Sequence, residues 1–516
     1  MTQKVYLGID IGTTSTKAVL FNEKGSVLAI HHKEYPLHSP TPVIAEQDPD
    51  EIFRAVLEVI SGVVSKANVL PDSIRLVAFS SAMHSVIAVD ANGRPLTRCI
   101  TWADSRAAGW SDRIKRDFNG LDIYRRTGTP IHPMSPLAKI TWLRHDQPDI
   151  FQKAHKFIGI KEYVFYQFFG RYVVDYSIAS ATGLFNLKAL SWDQEALAVA
   201  GIQPEQLSEP VPTTFSLSGL REDLAVQLGL SKDTPFVVGA SDGVLSNLGV
   251  DAISPGVIAV TIGTSGAIRT VTSKPATDPK GRIFCYALTE DHWVIGGPVN
   301  NGGVVFRWAR DELADGVVST AKRLGKDPYD ILSDMAARVR PGAEGLLFHP
   351  YLAGERAPLW NAHARGSFFG LGLHHKKEHL IRAVMEGVML NLYMVTLTLQ
   401  EIIGMPKQIK ATGGFSRSEL WRQMMADIFN QEVIIPESFE SSCLGAVILG
   451  MYALGDIKDF SIVSDWVGFT HSHKPIKDNA AIYEDLIPIY IRIARTLEKE
   501  YEPITTFQEK WTNKTL

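Results

Sequence analysis

Cysteine is scarce in this chain: Cys99, Cys285 and Cys443 are the three in 516 residues, far apart and with no C-x-x-C pair. That excludes a disulfide framework, a thiolate zinc site and dithiol redox chemistry, and it predicts a reducing compartment with three buried thiols. Basic runs are missing too. Lys plus Arg total 52 against 56 for Asp plus Glu, a formal charge of −4, and no basic-aromatic stripe follows the pattern of a nucleic-acid groove, so nucleic acid is excluded as a partner. The apolar tract from Leu444 to Leu454 is broken by Gly445 and Gly450 and is too short to cross a bilayer. The start, Met-Thr-Gln-Lys-Val-Tyr-Leu, enters a strand without the charged and apolar regions of a signal peptide. The expectation is a soluble, cytoplasmic protein with no membrane partner. Two familiar phosphate-binding signatures are also absent. Gly325-Lys326 runs into Asp327 rather than Ser or Thr, so there is no P-loop, and Gly370-x-Gly372 continues into Leu373 and His374 rather than a third glycine.

What the chain does have is a different glycine device, used twice. Gly8-Ile9-Asp10-Ile11-Gly12-Thr13-Thr14-Ser15-Thr16-Lys17 returns in reduced form as Val260-Thr261-Ile262-Gly263-Thr264-Ser265-Gly266. In each copy a β-branched run stops at glycine and small hydroxyl residues and then resumes, Lys4 to Ile11 into Thr16 to Phe21 and Val257 to Ile262 into Ala267 to Val271. Each reads as a β-hairpin with a Gly/Thr tip. Turn N–H groups and hydroxyls at such a tip donate to phosphate oxygens, and glycine lets the backbone come close. Gly-Thr-Thr-Ser is also an ordinary hairpin turn, but two copies at domain-scale separation favour a duplicated phosphate clamp. The first copy alone carries a carboxylate, Asp10, suited to Mg²⁺, and an ammonium, Lys17, suited to offsetting phosphate charge.

The length suits two large domains, and 45% hydrophobic residues argue against disorder. After the first hairpin come a strand from Val27 to His32 and a helix announced by Asp48-Pro49, with Ile52, Val56 and Ile60 on one face. Strands at Ile74 to Ser80 and Val86 to Val89 follow, and helical segments dominate from Pro136 to about Gly170. Strand Phe236 to Ala240 then leads into Ser241-Asp242-Gly243 and a helix. The stretch Gly249 to Gly256 marks the boundary, dividing the chain into 1–250 and 251–516. The later half repeats the logic, with helices at Val304 to Leu313, Pro328 to Val339, Lys376 to Ile403 and Leu420 to Phe429 and a strand at Gln408 to Thr412. The predicted class is α/β, two lobes with a cleft.

Several segments together carry a family resemblance over essentially the whole chain. They are Gly8 to Lys17, Trp102-Ala103-Asp104-Ser105-Arg106, Pro136-Leu137-Ala138-Lys139-Ile140-Thr141-Trp142, Gly239 to Gly243, Thr261 to Gly266, Gly366 to Leu371 with Arg382 to Glu386, and Ala411 to Ser418. They resemble the FGGY carbohydrate kinases. The resemblance implies two ribonuclease-H-like lobes of the actin and Hsp70 ATPase type, with ATP and Mg²⁺ as cofactors. It places Asp242 as the general base, a carboxylate ionised at neutral pH that takes the acceptor's hydroxyl proton, with a helix N-cap as the plainer reading of the same residue. It places Asp10 at the metal. For nucleotide it implies Thr13, Thr14, Ser15, Lys17, Gly263 and Thr264 at the phosphates, and Gly303, Arg307, Gly413, Gly414 and Ser418 around the adenosine.

For the acceptor, Ser80 to Ser85 matches the family's sugar-binding turn, with Met83-His84 closer to the xylulose kinase version than to the Arg-Glu of glycerol kinases. Trp102 supplies a flat wall for the C–H face of a polyol. Phe79 to Ala88, Cys99 to Asp104, Thr129 to Met134, Gly296 to Gly303 and His349 to Pro358 resemble the gluconate-phosphorylating subgroup, which implies a sugar acid as the small-molecule partner. A site for its carboxylate needs a cation or N–H cluster; Arg106, His84, His132 and Arg356 are the candidates, and spacing does not choose among them. The nearest rival is a kinase of xylulose or another ketose or polyol. From another class, such lobes also drive chaperones and filaments; the Asp242 and Met83-His84 features argue against that use. A homodimer is compatible with such a chain, though the sequence does not determine the oligomeric state.

Overall fold

The computed structural model describes residues 4–437 and 440–512. Two compact units divide the chain, but not by a single cut. The first contains 1–254, 271–295 and 438–468; the second contains 255–270, 296–437 and 469–516.

In the first unit, six strands lie in the order Ser216–Leu217, Phe236–Ser241, Ile74–Ser81, Val5–Ile11, Ser15–Asn22, Val27–Glu34. Phe236–Ser241 and Val5–Ile11 both run parallel to Ile74–Ser81, whereas the last three form an antiparallel meander. Alternation along Val5–Ile11 sends Leu7, Ile9 and Ile11 to one face and Tyr6 to the other, and each face has its own core. On the first face lies helix Pro49–Ala67, capped by the Asp48 carboxylate, which accepts from the N–H groups of Asp50 and Glu51. Its Val56, Val59 and Ile60 are fully buried, each worth about 1.5–3 kcal/mol relative to exposure. Helices Asp242–Gly249 and Ser441–Ala453 pack on the second face.

A largely helical insertion, with its own core, follows the strand Ile87–Val89. The expected helical stretch after Pro136 is three helices, Pro136–Asp146, Pro148–Lys153 and Ile160–Phe169, with a short strand, Lys156–Ile158, before the last. Pro136–Asp146 is buried at every position from Pro136 to Leu143. It therefore shows no apolar stripe.

In the second unit, Val257–Ile262 pairs antiparallel with Gly266–Thr272 and parallel with Gln408–Thr412; Val433–Pro436 and Phe469–His473 extend the sheet. Helix Lys377–Ile403 is long and apolar enough to span a membrane, exceeding the tract at Leu444, but Val388, Met389, Leu392, Val395 and Leu399 are buried in the fold. It is a core helix. The helix expected from Val304 runs as Gly303–Trp308 and widens into a π turn over Ala309–Leu313.

Candidate active site

Three parallel strands of the first unit end side by side, and their ends carry the chemistry. Val5–Ile11 ends one residue after Asp10, Phe236–Ser241 ends immediately before Asp242, and the central Ile74–Ser81 runs out into Ala82, Met83 and His84. Asp10 Oδ1 accepts a 2.7 Å hydrogen bond from Ser80 Oγ, its parallel cross-strand partner. Desolvation pushes the Asp10 carboxyl up to about 6, and the Asp242 carboxylate adds to the rise; Ser80 and Lys17 pull it back. Asp242 opens its helix as the first helical residue, and its Oδ1 accepts from the Gly243 N–H at 2.6 Å. The strand that delivers it is bulged, with its register shifted between Val237 and Ala240. Gly239 stands in that bulge at φ +67°, where a Cβ would lie 1.7 Å from the Phe79 carbonyl oxygen. Only glycine fits there, so the strand end that presents Asp242 depends on it.

The first tip is tightly held. Gly12 N–H donates to Ser15 O at 3.0 Å, and the Tyr35 hydroxyl donates to Gly12 O at 2.6 Å while meeting Thr16 Oγ1 at 3.1 Å. Thr13 is tied into the fold, its Oγ1 accepting from Trp102 Nε1 at 2.9 Å and its carbonyl accepting from Gln47 Nε2. Gly12, Thr13, Gln47, Met83, Ser85 and Trp102 line one small cavity. Thr14 lies on the outer side with Glu34 and Tyr35, and Ser15 begins the second strand of the hairpin. Lys17 is engaged by Glu440 at 2.8 Å, an ion pair 423 positions apart in sequence. It faces Asp10 across the hairpin.

His84 has φ +68°, uncommon for a non-glycine residue. Its ring is buried, with Nδ1 2.7 Å from Ala181 O, which makes Nδ1 the donor, and Nε2 3.5 Å from the Tyr286 hydroxyl. Met83 and Ser85 therefore form the cavity wall. Of the other cations considered for a carboxylate, Arg106 is bound to Asp104 at 2.8 Å and to Glu46, and Arg356 is buried and donates to Val299 O at 3.2 Å. His132 Nδ1 accepts from the Met134 N–H at 3.2 Å, closing a local turn.

The second unit contains a cleft of about 1130 Å³, open mouth included. Gly263 and Thr264 line it, and their turn is one residue shorter than the first, with Gly263 N–H donating to Ser265 O at 2.9 Å. Gly303 N–H donates to Gly263 O at 2.7 Å and Val304 N–H to Thr264 O at 3.0 Å, so the start of helix Gly303–Trp308 is docked on the tip. Gly303, Arg307, Gly414 and Ser418 line the walls. Gly413 supports them from behind: its φ is +107°, and a Cβ there would sit 2.2 Å from Ile262 O. The aromatic walls, Phe306, Tyr329 and Trp421, were not singled out in the sequence. Phe306 and Tyr329 stack with centroids 5.5 Å apart and Trp421 meets Phe306 edge-on; such a pocket suits a flat heteroaromatic base. The shared signal is an aromatic in the first turn of a helix, at Gly303–Trp308, Pro328–Ala337 and Glu419–Phe429.

The N-terminal domain description of the FGGY family of carbohydrate kinases matches residues 5–249, and its C-terminal domain description matches residues 258–454. A gluconokinase from Bacillus licheniformis is 60% identical over 510 residues, 98% of this chain and 99% of the relative. Among solved structures, a gluconate kinase from Lactobacillus acidophilus superposes with a TM-score of 0.93 at 40% identity, covering 98% of this chain and 100% of its own. A ligand-bound xylulose kinase from Lactobacillus acidophilus gives 0.92 at 40% identity, with coverages of 97% and 100%. The matches to both domains over nearly the whole chain agree with the glycine tips, the aspartates at the ends of the two strands flanking Ile74–Ser81 and the aromatic-walled cleft: this two-domain α/β chain belongs to the FGGY family of carbohydrate kinases.

Proposed function

We infer that this chain transfers the γ-phosphoryl group of ATP to the terminal hydroxyl of D-gluconate, giving 6-phospho-D-gluconate. The observation that carries the chemistry is the grouping of Asp10, the Met83-His84 turn and Asp242 at the carboxyl ends of three adjacent parallel strands, the edge of an α/β sheet where ligands characteristically sit. The 60% identity to a gluconokinase over nearly the whole chain supports the choice of acceptor.

In this reading Asp242 takes the proton of the attacking hydroxyl. Its hydrogen bond from Gly243 orients the carboxylate at the start of the helix. Phosphoryl transfer asks for positioning and charge stabilisation above all. Thr264, Gly263 and the docked Gly303 turn offer hydroxyl and N–H donors to the polyphosphate. Gly414, Ser418 and Arg307 surround the adenosine, between the aromatic walls. A magnesium ion bound with the phosphates supplies neutralisation of their charge. The donor set fits it: Asp10 is a hard carboxylate held in an unfavourable field by desolvation and Asp242, and Mg²⁺ takes one or two carboxylates plus phosphate oxygens and water. Lys17, held by Glu440, keeps a cation opposite Asp10. The acceptor lies against Met83, Ser85 and Trp102, with His84 fixing the turn, and the cytoplasm, where ATP is abundant, is the proposed location. Residues 1–250 are assigned the acceptor and the chemistry, and 251–516 the adenosine.

A panel of gluconate, xylulose, glycerol and related sugar acids in a coupled ADP assay tests the acceptor. Gluconate is expected to give the highest kcat/KM. A higher value for xylulose or a neutral polyol overturns the substrate and leaves the kinase chemistry standing; no acceptor-dependent ADP release from any of them overturns both.

A further inference from the structure

We propose that Lys139 is a positioning residue for the acceptor, its side-chain nitrogen tying the turn that carries Met83 and His84 to the segment that carries Trp102. This inference rests on the reading of Met83 and Trp102 as the acceptor's walls.

Lys139 has no exposed surface. It stands on helix Pro136–Asp146 among Leu137, Ala138, Ile140 and Leu143, all buried. A leucine there would satisfy packing alone, and a buried ammonium is costly unless its donors are used. They are used on two carbonyls only: Nζ is 2.7 Å from His84 O and 2.6 Å from Thr101 O. Neither carbonyl lies inside a strand. Each belongs to irregular backbone just beyond one, after Ile74–Ser81 and after Cys99–Ile100, where a buried oxygen has no ladder to accept from.

The two segments it joins meet at the same cavity, lined on one side by Met83 and Ser85 and on the other by Thr101 and Trp102. His84 is held in a left-handed conformation, φ +68°, that a histidine does not adopt without support. Its own ring holds Ala181 O, and Lys139 holds its carbonyl, so the turn is pinned from two directions. On the other segment, Trp102 is fastened to Thr13 through its indole N–H and Thr101 to Ala45 through its hydroxyl. Val86 and Ile100 pair the two segments through their backbones further along, at 3.0 Å and 2.9 Å; Lys139 ties them at His84 and Thr101, beside the residues that line the cavity. Burial pulls the ammonium down to about 7, with Asp104 opposing the fall; the neutral amine keeps two N–H groups, enough for both carbonyls. The Pro136 to Trp142 segment thereby gains a role: its lysine sets the width of the acceptor site.

The test is a split between two Michaelis constants. Lys139→Met keeps the length and removes the donors; Lys139→Gln keeps one short donor group. KM for gluconate is expected to rise about tenfold or more in Lys139→Met and less in Lys139→Gln, because small misplacements at an acceptor are costly, while KM for ATP, whose cleft lies in the other unit, stays within about twofold. If Lys139→Met fails to fold, the same split is read on Lys139→Gln. Parallel rises in both constants, or no rise in the gluconate constant, overturn the positioning role. Trp102→Ala separates the two ideas: if it raises KM for gluconate and the Lys139 variants do not, the positioning role fails alone; if it leaves KM for gluconate unmoved, the acceptor reading fails and the positioning role with it.

Discussion

The two glycine tips share a hairpin frame and differ in loop length, the first closing at Ile11 and Thr16 and the second, one residue shorter, at Ile262 and Gly266, and in the side chains they carry. Ile11 and Gly12 of the first correspond to Ile262 and Gly263 of the second, and in both the Gly N–H donates to a serine carbonyl, three residues on at 3.0 Å in the first and two residues on at 2.9 Å in the second. One step back, Asp10 faces Lys17 across the first hairpin and Ser80 on its parallel neighbour; in the second, Thr261 faces Ala267 and Thr412. Even the cross-strand hydrogen bond is repeated, Ser80 Oγ to Asp10 at 2.7 Å and Thr261 Oγ1 to Thr412 Oγ1 at 3.0 Å. The parallel strand then leads to the acceptor turn at His84 in one unit and to the turn at Gly413 and Gly414 in the other. One hairpin frame carries charge in one copy and open backbone in the other, the difference expected if the first copy serves the reacting phosphate and metal and the second admits a flat nucleoside.

The largest expected effect comes from removing the base. Asp242→Asn should lower kcat by ~10²- to 10⁴-fold and leave ATP affinity close to that of the parent, as read by calorimetric titration; near-full turnover would show that the charged copy does not hold the base. Converting the first tip toward the second is the next largest. Asp10→Thr should weaken magnesium-dependent turnover by about tenfold or more while sparing nucleotide binding in the presence of a chelator; unchanged magnesium dependence would break the specialisation argument. On the nucleotide side, Gly413→Val places a branched side chain at φ +107° against Ile262 O. It should raise KM for ATP several-fold, about 1–3 kcal/mol of strain being at stake, without moving KM for gluconate.

The smallest effect is on stability, and its sign follows from Asp10. Its carboxyl is raised to about 6, so the folded state binds the proton more tightly than the unfolded chain does, and the stability this contributes is present in acid and lost as pH rises through about 6. Asp10→Asn mimics the protonated form. Its Tm without metal should exceed the parent's by about 2–4 °C at pH 7.5, and the gain should shrink as pH falls from about 6 toward the ordinary value of 3.8 and vanish below it, near pH ~3; an equal gain at the two extremes would remove the desolvated carboxylate as the cause.

How much of this was readable beforehand differs between the two units' parts. Both hairpins, the Asp48 cap and the strand-to-helix passage at Asp242 follow from local patterns, since glycine, proline and short polar residues act on their own backbone. The partners did not follow. The motif points to phosphate for Thr13 and Lys17 but does not say that the Thr13 hydroxyl also accepts from Trp102, 89 positions away, or that Lys17 pairs with Glu440. Arg106 reads as a candidate for a substrate carboxylate, yet Glu46 and Asp104 hold it. Nothing in a one-dimensional pattern reports which distant side chain a loop will meet.

From the order of its residues alone this chain determined its strands, its two tips and the strand-to-helix passage that carries Asp242, because each depends on backbone preferences acting over a few residues. Only the tertiary structure decided which segments share a unit, sending 271–295 and 438–468 back to the first, and which polar groups are consumed in holding the site. The physical reason is burial: once Lys139 and His84 leave water, their donors must find oxygen, and the oxygen within reach is set by packing between segments tens to hundreds of residues apart.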